Sequence, residues 1–280
     1  MEFWNHIYEH FDPVAFHLFS LPVHWYGLMY VLALVTALYM AKWIVQKDGL
    51  QITKEQLDSF FIYVEIGVIL GARLGYILFY DPDTLYYLSH PWQIFNPFKD
   101  DEFVGIRGMS YHGALFGFLI AAYLFSRRSK IHFGKLMDIV ALAVPLGYVF
   151  GRIGNFLNQE LVGRATDVSW GIYVDGVLRH PSQLYEAVLE GIVVFFIIYV
   201  YRKQKKFDGE LILLYAFAYG ILRAVAEIYR APDVQIGYVC CDMITLGQTL
   251  SLSMALLAVI LWFYFLPKKE IVSGKQDKKS

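Results

Sequence analysis

Between Gly151 and Gly163 the chain reads GRIGNFLNQELVG, and Arg152, Asn155, Asn158 and Glu160 fall within nine residues. Arg152 and Asn155 are three apart, so on a helix they share a face, with Tyr148 one turn earlier on that face. Tyr219, Arg223 and Glu227 recur at intervals of four and form one polar stripe on another helix. A guanidinium is a planar fork of donors suited to phosphate, and charge-assisted bonds strengthen where water is excluded. Two such groups facing one cavity point to an anionic ligand. The plainer alternative is an Arg223–Glu227 ion pair that only ties helices together. It leaves Arg152 unexplained, because no acid stands three or four residues from it within its segment.

These clusters belong to a chain of 280 residues that is 57% hydrophobic and only 18% charged, with a mean hydropathy of +0.44. A soluble domain of this size has no way to hide that much apolar surface, so a multi-spanning membrane protein is expected. Charged and amide groups at membrane depth are costly and call for a functional explanation. A spanning helix needs roughly 20 mostly apolar residues. Seven segments qualify, at about 24–45, 57–79, 110–126, 134–156, 181–201, 210–229 and 246–266. No internal repeat or low-complexity stretch divides the chain. The expectation is an all-α polytopic membrane protein, residues 1–280 forming one integral membrane domain of about seven transmembrane helices with interfacial outer segments. Aromatic residues, 18% of the chain, suit such interfaces. The N-terminus MEFWNHIYEHFDP lacks a basic n-region and a clean apolar core, so no cleavable signal peptide is expected there.

Lys and Arg in the connections set orientation. The first, third and fifth connections and the C-terminal tail hold fifteen of them; the N-terminal segment and the even connections hold five, Lys99, Arg107, Arg164, Arg179 and Arg230. The N-terminus is therefore expected outside and the C-terminus in the cytoplasm. Arg152 then lies about four residues from the outer end of its span, roughly 6 Å deep at 1.5 Å per residue. Arg223, Arg73, His112, Tyr26 and Glu186 reach the same outer level from other spans. Snorkelling at random helix ends would scatter such residues over both faces, whereas a shared outer-leaflet site gathers them. The anion most available at that depth is a phospholipid headgroup.

Smaller features carry less. Gly147 and Gly151 form a small-xxx-small pair that lets a helix or a lipid approach, and Pro145 is placed to kink its span. Trp4, Ile7, Tyr8 and Phe11 fall at helical spacing, which suits a piece lying flat on the outer surface, and 85–98 is aromatic with two prolines. Packing on the bundle is the alternative for both. His6 and His10 lack a third metal ligand, Glu65 is suited to pairing with a neighbouring helix, and adjacent Cys240 and Cys241 imply neither a disulfide nor a nucleophile. There is no G-x-S-x-G, H-E-x-x-H or Walker motif. Neither a metal nor an organic cofactor is expected.

GRIGNFLNQELVG is similar to the signature of the bacterial prolipoprotein diacylglyceryl transferases. HWYGLMY (24–30), YHGALFG (111–117), RHPSQLYEA (179–187), YGILRAVAEIYRAPD (219–233) and GQTLS (247–251) resemble further parts of that family, so the likeness covers nearly the whole chain. One departure is Ala114, where the family usually has a second Gly after the His; one extra methyl there tightens packing without removing His112. The resemblance implies an enzyme of the bacterial plasma membrane with its active site toward the outer leaflet. Its partners would be phosphatidylglycerol, the lipobox Cys of a prelipoprotein signal peptide and the surrounding lipids, with no nucleic acid. The diacylglyceryl group would pass to the Cys thiol, leaving a thioether and glycerol phosphate. Carried over residue by residue, Arg152 and Arg223 would bind the phosphate, with Asn155, Gly163 and Tyr219 completing the substrate-binding set. Catalytic groups would come from His112, Glu160, Tyr26 and Glu227, with His112 or Glu160 as the base. An outer-leaflet phospholipid transporter or scramblase is the alternative. It would want a polar path to the cytoplasmic side, and Glu65 is the deepest clear exception to polar groups at the outer level.

Overall fold

The computed structural model describes residues 2–19, 21–99, 102–103, 105, 108–232, 238–240 and 244–266. Cys241, Arg107 and the basic C-terminal tail lie outside them. Among the described residues, seven long helices appear where the apolar segments predict them. They are α1 (Trp25–Lys47), α2 (Lys54–Phe79), α3 (Tyr111–Ser129), α4 (Phe133–Leu157), α5 (Ser182–Gln204), α6 (Glu210–Ala226) and α7 (Leu246–Phe265). Five of them, α1, α2, α4, α5 and α7, are long and apolar enough to cross a membrane. The chain is thus a multi-pass, mainly helical membrane protein. The other two are shorter, α3 with 19 residues and with Arg127 and Arg128 in its last turn, and α6 with 17.

Helix starts follow local chemistry. Thr53 and Thr245 each accept from the backbone N–H three residues on, and Gln56 and Gln248 return the bond to the cap. These capping boxes satisfy N–H groups that have no partner inside the helix. Ser110 caps α3 by accepting from Gly113 N at 3.1 Å.

The chain divides into two compact units, residues 31–147 and residues 1–30 with 148–280. In the first, α2 lies on α3 through a row of small residues. A methyl carbon built on Gly71 would stand 2.3 Å from the Gly113 carbonyl oxygen, and one on Gly117 only 2.0 Å from that of Gly67. Only bare backbone fits so close an approach. A packed cluster of Ala41, Val45, Ile52, Leu57, Ile139 and Ala143 joins α1, α2 and α4. Gly147 takes the α1 backbone, its would-be methyl 2.8 Å from the Ala33 oxygen, whereas Gly151 has nothing within 4 Å. So one member of the expected small-residue pair receives a helix. Arg73 is buried, donating to Ile94 O at 2.5 Å and to Gly108 O at 3.3 Å. It thereby anchors the aromatic 85–98 segment, which folds as a short helix at Thr84–Ser89 and a turn at Pro91–Gln93.

In the other unit α6 packs on α7, where a methyl on Gly220 would meet Ser251 O at 2.5 Å. The N-terminal segment is helical only over Glu2–Asn5 and tightly turned over Ile7–Glu9. Its apolar face is used for packing. Trp4 and Tyr8 stack on and tilt against Phe156, and Asn5 Nδ2 donates to Gly171 O at 2.6 Å. Burial of the Tyr8 hydroxyl pushes its pKa above the usual tyrosine value. His6 turns to Glu9 at 2.6 Å, while His10 stacks on Phe3.

Candidate active site

The last three turns of α4 carry Tyr148, Arg152 and Asn155 on one face, as their spacing predicts. Arg152 donates from Nε to the Tyr148 hydroxyl at 2.6 Å and from Nη1 to Asn155 Oδ1 at 3.2 Å. Asn155 passes the chain on, its Nδ2 donating to Glu160 Oε1 at 2.6 Å. Glu160 sits in a sharp loop after α4, where Gln159 and Leu161 adopt left-handed backbone angles of +58° and +56° in φ. Gln183 fastens that loop, donating to Glu160 O at 2.5 Å.

The acid opposite Arg152 comes from a different helix. Glu186, fully buried in the first turns of α5, places Oε2 2.8 Å from Arg152 Nε. Its other oxygen accepts from Arg223 Nη1 at 2.7 Å. One carboxylate therefore draws the two guanidiniums together, and Arg230 stands 3.6 Å from the same oxygen. The absence of an acid near Arg152 holds only along its own helix. Arg223 also contacts Glu227 at 2.5 Å, so the expected pairing along α6 is present as well. Glu227 accepts from Thr245 Oγ1 at 3.1 Å and leaves no room for a side chain at Gly247, where a methyl would stand 2.8 Å from Oε1.

A third acid, Glu190, is fully buried one turn beyond Glu186 and accepts from the Tyr148 hydroxyl. It lies in Ala187–Val193, where α5 widens to a π-helix. Such bulges recur at functional sites because they re-aim side chains without ending the helix. Three carboxylates, those of Glu186, Glu190 and Glu227, thus face Arg152, Arg223 and Arg230, and Glu160 joins the same network through Asn155. Pairing of this kind is what makes buried ionic groups tolerable in a low-dielectric interior.

The remaining sequence candidates fall at varied places. Tyr219 sets its ring edge-on to Tyr148, centroids 5.8 Å apart, and so borders the network. Gly163 is required by close approach. Its N–H donates to His180 O at 3.1 Å, and a methyl there would lie 2.3 Å from that oxygen. Burial lowers the His180 pKa, with Asp167 acting the other way. Tyr26, 42% exposed, lies against Gly154, two residues from Arg152 on α4. His112 is exposed in the first turn of α3, its ring edge-on to Tyr111, and belongs to the 31–147 unit. Tyr148, which spacing places on the Arg152 face, is the hub, whereas Glu190 and Arg230 are the members that spacing rules did not single out. The one available signal was two acids four residues apart in an otherwise apolar span.

Chemically, the network presents two rigidly held guanidiniums, with side chains 14% and 11% exposed, at the ends of two helices. That arrangement can grip a tetrahedral anion. The model of the prolipoprotein diacylglyceryl transferase family matches residues 13–264. Among curated relatives, the phosphatidylglycerol–prolipoprotein diacylglyceryl transferase of Wolinella succinogenes is 64% identical over 95% of this chain and 97% of its own. The enzyme of the same name from Campylobacter lari is 62% identical over 94% and 97%, and that from Campylobacter hominis 59% over the full length of both. With Arg152, Asn155 and Glu160 of the signature joined in one hydrogen-bonded network and likeness running almost end to end, the chain belongs to the prolipoprotein diacylglyceryl transferase family.

Proposed function

We propose that Arg152 and Arg223 are the phosphate clamp of the diacylglyceryl transfer that this chain performs in lipoprotein maturation. The lipid donor is phosphatidylglycerol and the acceptor is the lipobox Cys thiol of a prelipoprotein. The thiolate sulfur attacks the glycerol carbon that bears the phosphate. The S–C bond forms, the C–O bond breaks, and glycerol phosphate leaves with the bonding electrons. Charge grows on the leaving phosphate oxygens, where fixed guanidinium donors stabilise it most. The observation that carries this reading is the meeting of both guanidiniums on one carboxylate, Glu186.

A thiol has a pKa near 8.5, so a base speeds thiolate formation. His112 is the first candidate and Glu160, held by Asn155, the second. The excess of Lys and Arg in the odd connections supports a site toward the outer leaflet of the bacterial plasma membrane, where both substrates reside. The two units then serve one membrane domain.

The direct test is to incubate the purified protein with phosphatidylglycerol and a lipobox peptide. Glycerol phosphate should appear in equal amount to thioether-linked peptide. Release of glycerol phosphate without peptide modification would make the chain a lipid hydrolase instead. For the base, the rate should be followed against pH for the wild type, His112→Gln and Glu160→Gln. The variant lacking the base is expected to lose most of its rate and the acidic limb of the profile. A His112→Gln protein with near-normal rate and an unchanged profile would exclude His112.

A further inference from the structure

Tyr148 and Glu190 are buried polar groups that the transfer step does not use. Their geometry concerns a single hydrogen, the one on Arg152 Nε. Two acceptors compete for it, the Tyr148 oxygen at 2.6 Å and Glu186 Oε2 at 2.8 Å. The hydrogen goes to Tyr148, and Glu186 Oε2 is left buried without a hydrogen bond. A buried carboxylate oxygen in that state is costly, so something must favour the tyrosine. A tyrosine hydroxyl has one hydrogen to give and lone pairs to accept. Here it gives the hydrogen to Glu190 Oε2, which turns a lone pair toward Arg152. Glu190 is fixed in turn by the π-helical stretch, and its other oxygen lies 3.5 Å from Arg223 Nη1. The Arg152 guanidinium also rests over the Tyr148 ring, 4.8 Å from its centre.

We infer that Tyr148 and Glu190 form a positioning relay that aims the Arg152 Nε–H at the tyrosine instead of at Glu186, and so fixes the plane in which the guanidinium, still ion-paired with Glu186, meets the substrate phosphate. This rests on the phosphate-clamp reading above. A hydrogen bond from Nε to Glu186 would turn the guanidinium plane toward that carboxylate, with which it is already ion-paired at 2.8 Å. The neutral Tyr148 hydroxyl instead holds that plane without adding a second negative charge against it. Asn155 does the same at Nη1, accepting with a neutral amide oxygen at 3.2 Å. Neither Tyr148 nor Glu190 needs to touch lipid or peptide. They act through Arg152.

The test compares Tyr148→Phe, Glu190→Leu, Glu190→Gln and the double variant Tyr148→Phe/Glu190→Leu, each purified in lipid nanodiscs. The readouts are kcat and KM for phosphatidylglycerol. Tyr148→Phe releases the Nε–H to Glu186 and is expected to lower kcat roughly tenfold or more, with a smaller change in KM. Glu190→Leu should match it, and Glu190→Gln, which keeps an oxygen toward the hydroxyl, should recover most of what Glu190→Leu loses. The double variant should be no slower than either single one, because all break the same chain of bonds. Multiplying effects in the double variant, or an unchanged kcat in Tyr148→Phe, would overturn the relay. Should Glu190→Leu not fold, Tyr148→Phe and Glu190→Gln decide the matter between them. A wild type without transfer activity, or a fully active Arg152→Ala, would instead sink the clamp itself.

Discussion

Arg152→Ala is expected to lower diacylglyceryl transfer at least about 10³-fold while the protein still accumulates in the membrane. Removing a single preorganised donor from a site of developing charge costs about 10²–10³ in rate. Arg152 supplies a whole guanidinium, set by the Tyr148 oxygen at Nε and the Asn155 oxygen at Nη1. The truncation also upsets the local charge balance. Glu186, Glu190 and Glu227 would then face only Arg223 and Arg230, so an arriving phosphate would meet surplus negative charge. Glu186 keeps its bond from Arg223, which limits the damage to folding. Arg152→Lys should fall between the two proteins. It restores the charge but offers no planar fork to hold Tyr148 and Asn155 at once. A labelled-lipid assay of thioether formation, normalised to membrane-inserted protein, measures both. Retained thioether formation in Arg152→Ala would remove the clamp from the mechanism.

The seven helices were legible because apolar runs of spanning length admit few other structures, and their ends were misplaced by only a few residues. The Arg223–Glu227 contact was legible too, since groups four apart on a helix must be neighbours. The Arg152–Glu186 contact was not. Its partners sit on separate helices, and spacing along one helix says nothing about which faces meet. Glu190 escaped for a related reason, because the π-helical register that aims it is set by packing around α5. Arg73 shows the converse error. It shares the predicted level with the two site arginines, yet the carbonyls of Ile94 and Gly108 take its donors. Depth alone does not separate a ligand-binding arginine from one that anchors a loop. The N-terminal aromatic spacing was real, but its apolar face meets Phe156 instead of continuing as a surface helix.

Gly117→Val is expected to destabilise the protein by about 3 kcal/mol or more and to reduce the yield of monodisperse, detergent-extracted protein sharply. In lipid, two apolar helices gain little by leaving the hydrocarbon, so closeness of packing is the main force between them. The α2–α3 pair depends on it, since the would-be methyl at Gly117 lies 2.0 Å from the Gly67 carbonyl oxygen and 2.9 Å from the Gly71 Cα. These are backbone atoms, so no rotamer change relieves the clash and the helices must separate along the row of Gly113, Gly117 and Ala121. The family departure at Ala114 is consistent with this, because position 114 falls one residue off that row and its methyl points around the helix from it. His112 immediately precedes the row, so separation would also move the candidate base. The neighbouring lipid-facing position supplies the control. Phe116 is 64% exposed, and Phe116→Val should shift the melting temperature little. Equal melting temperatures for Gly117→Val and the wild type would show that close backbone packing is not what joins α2 to α3.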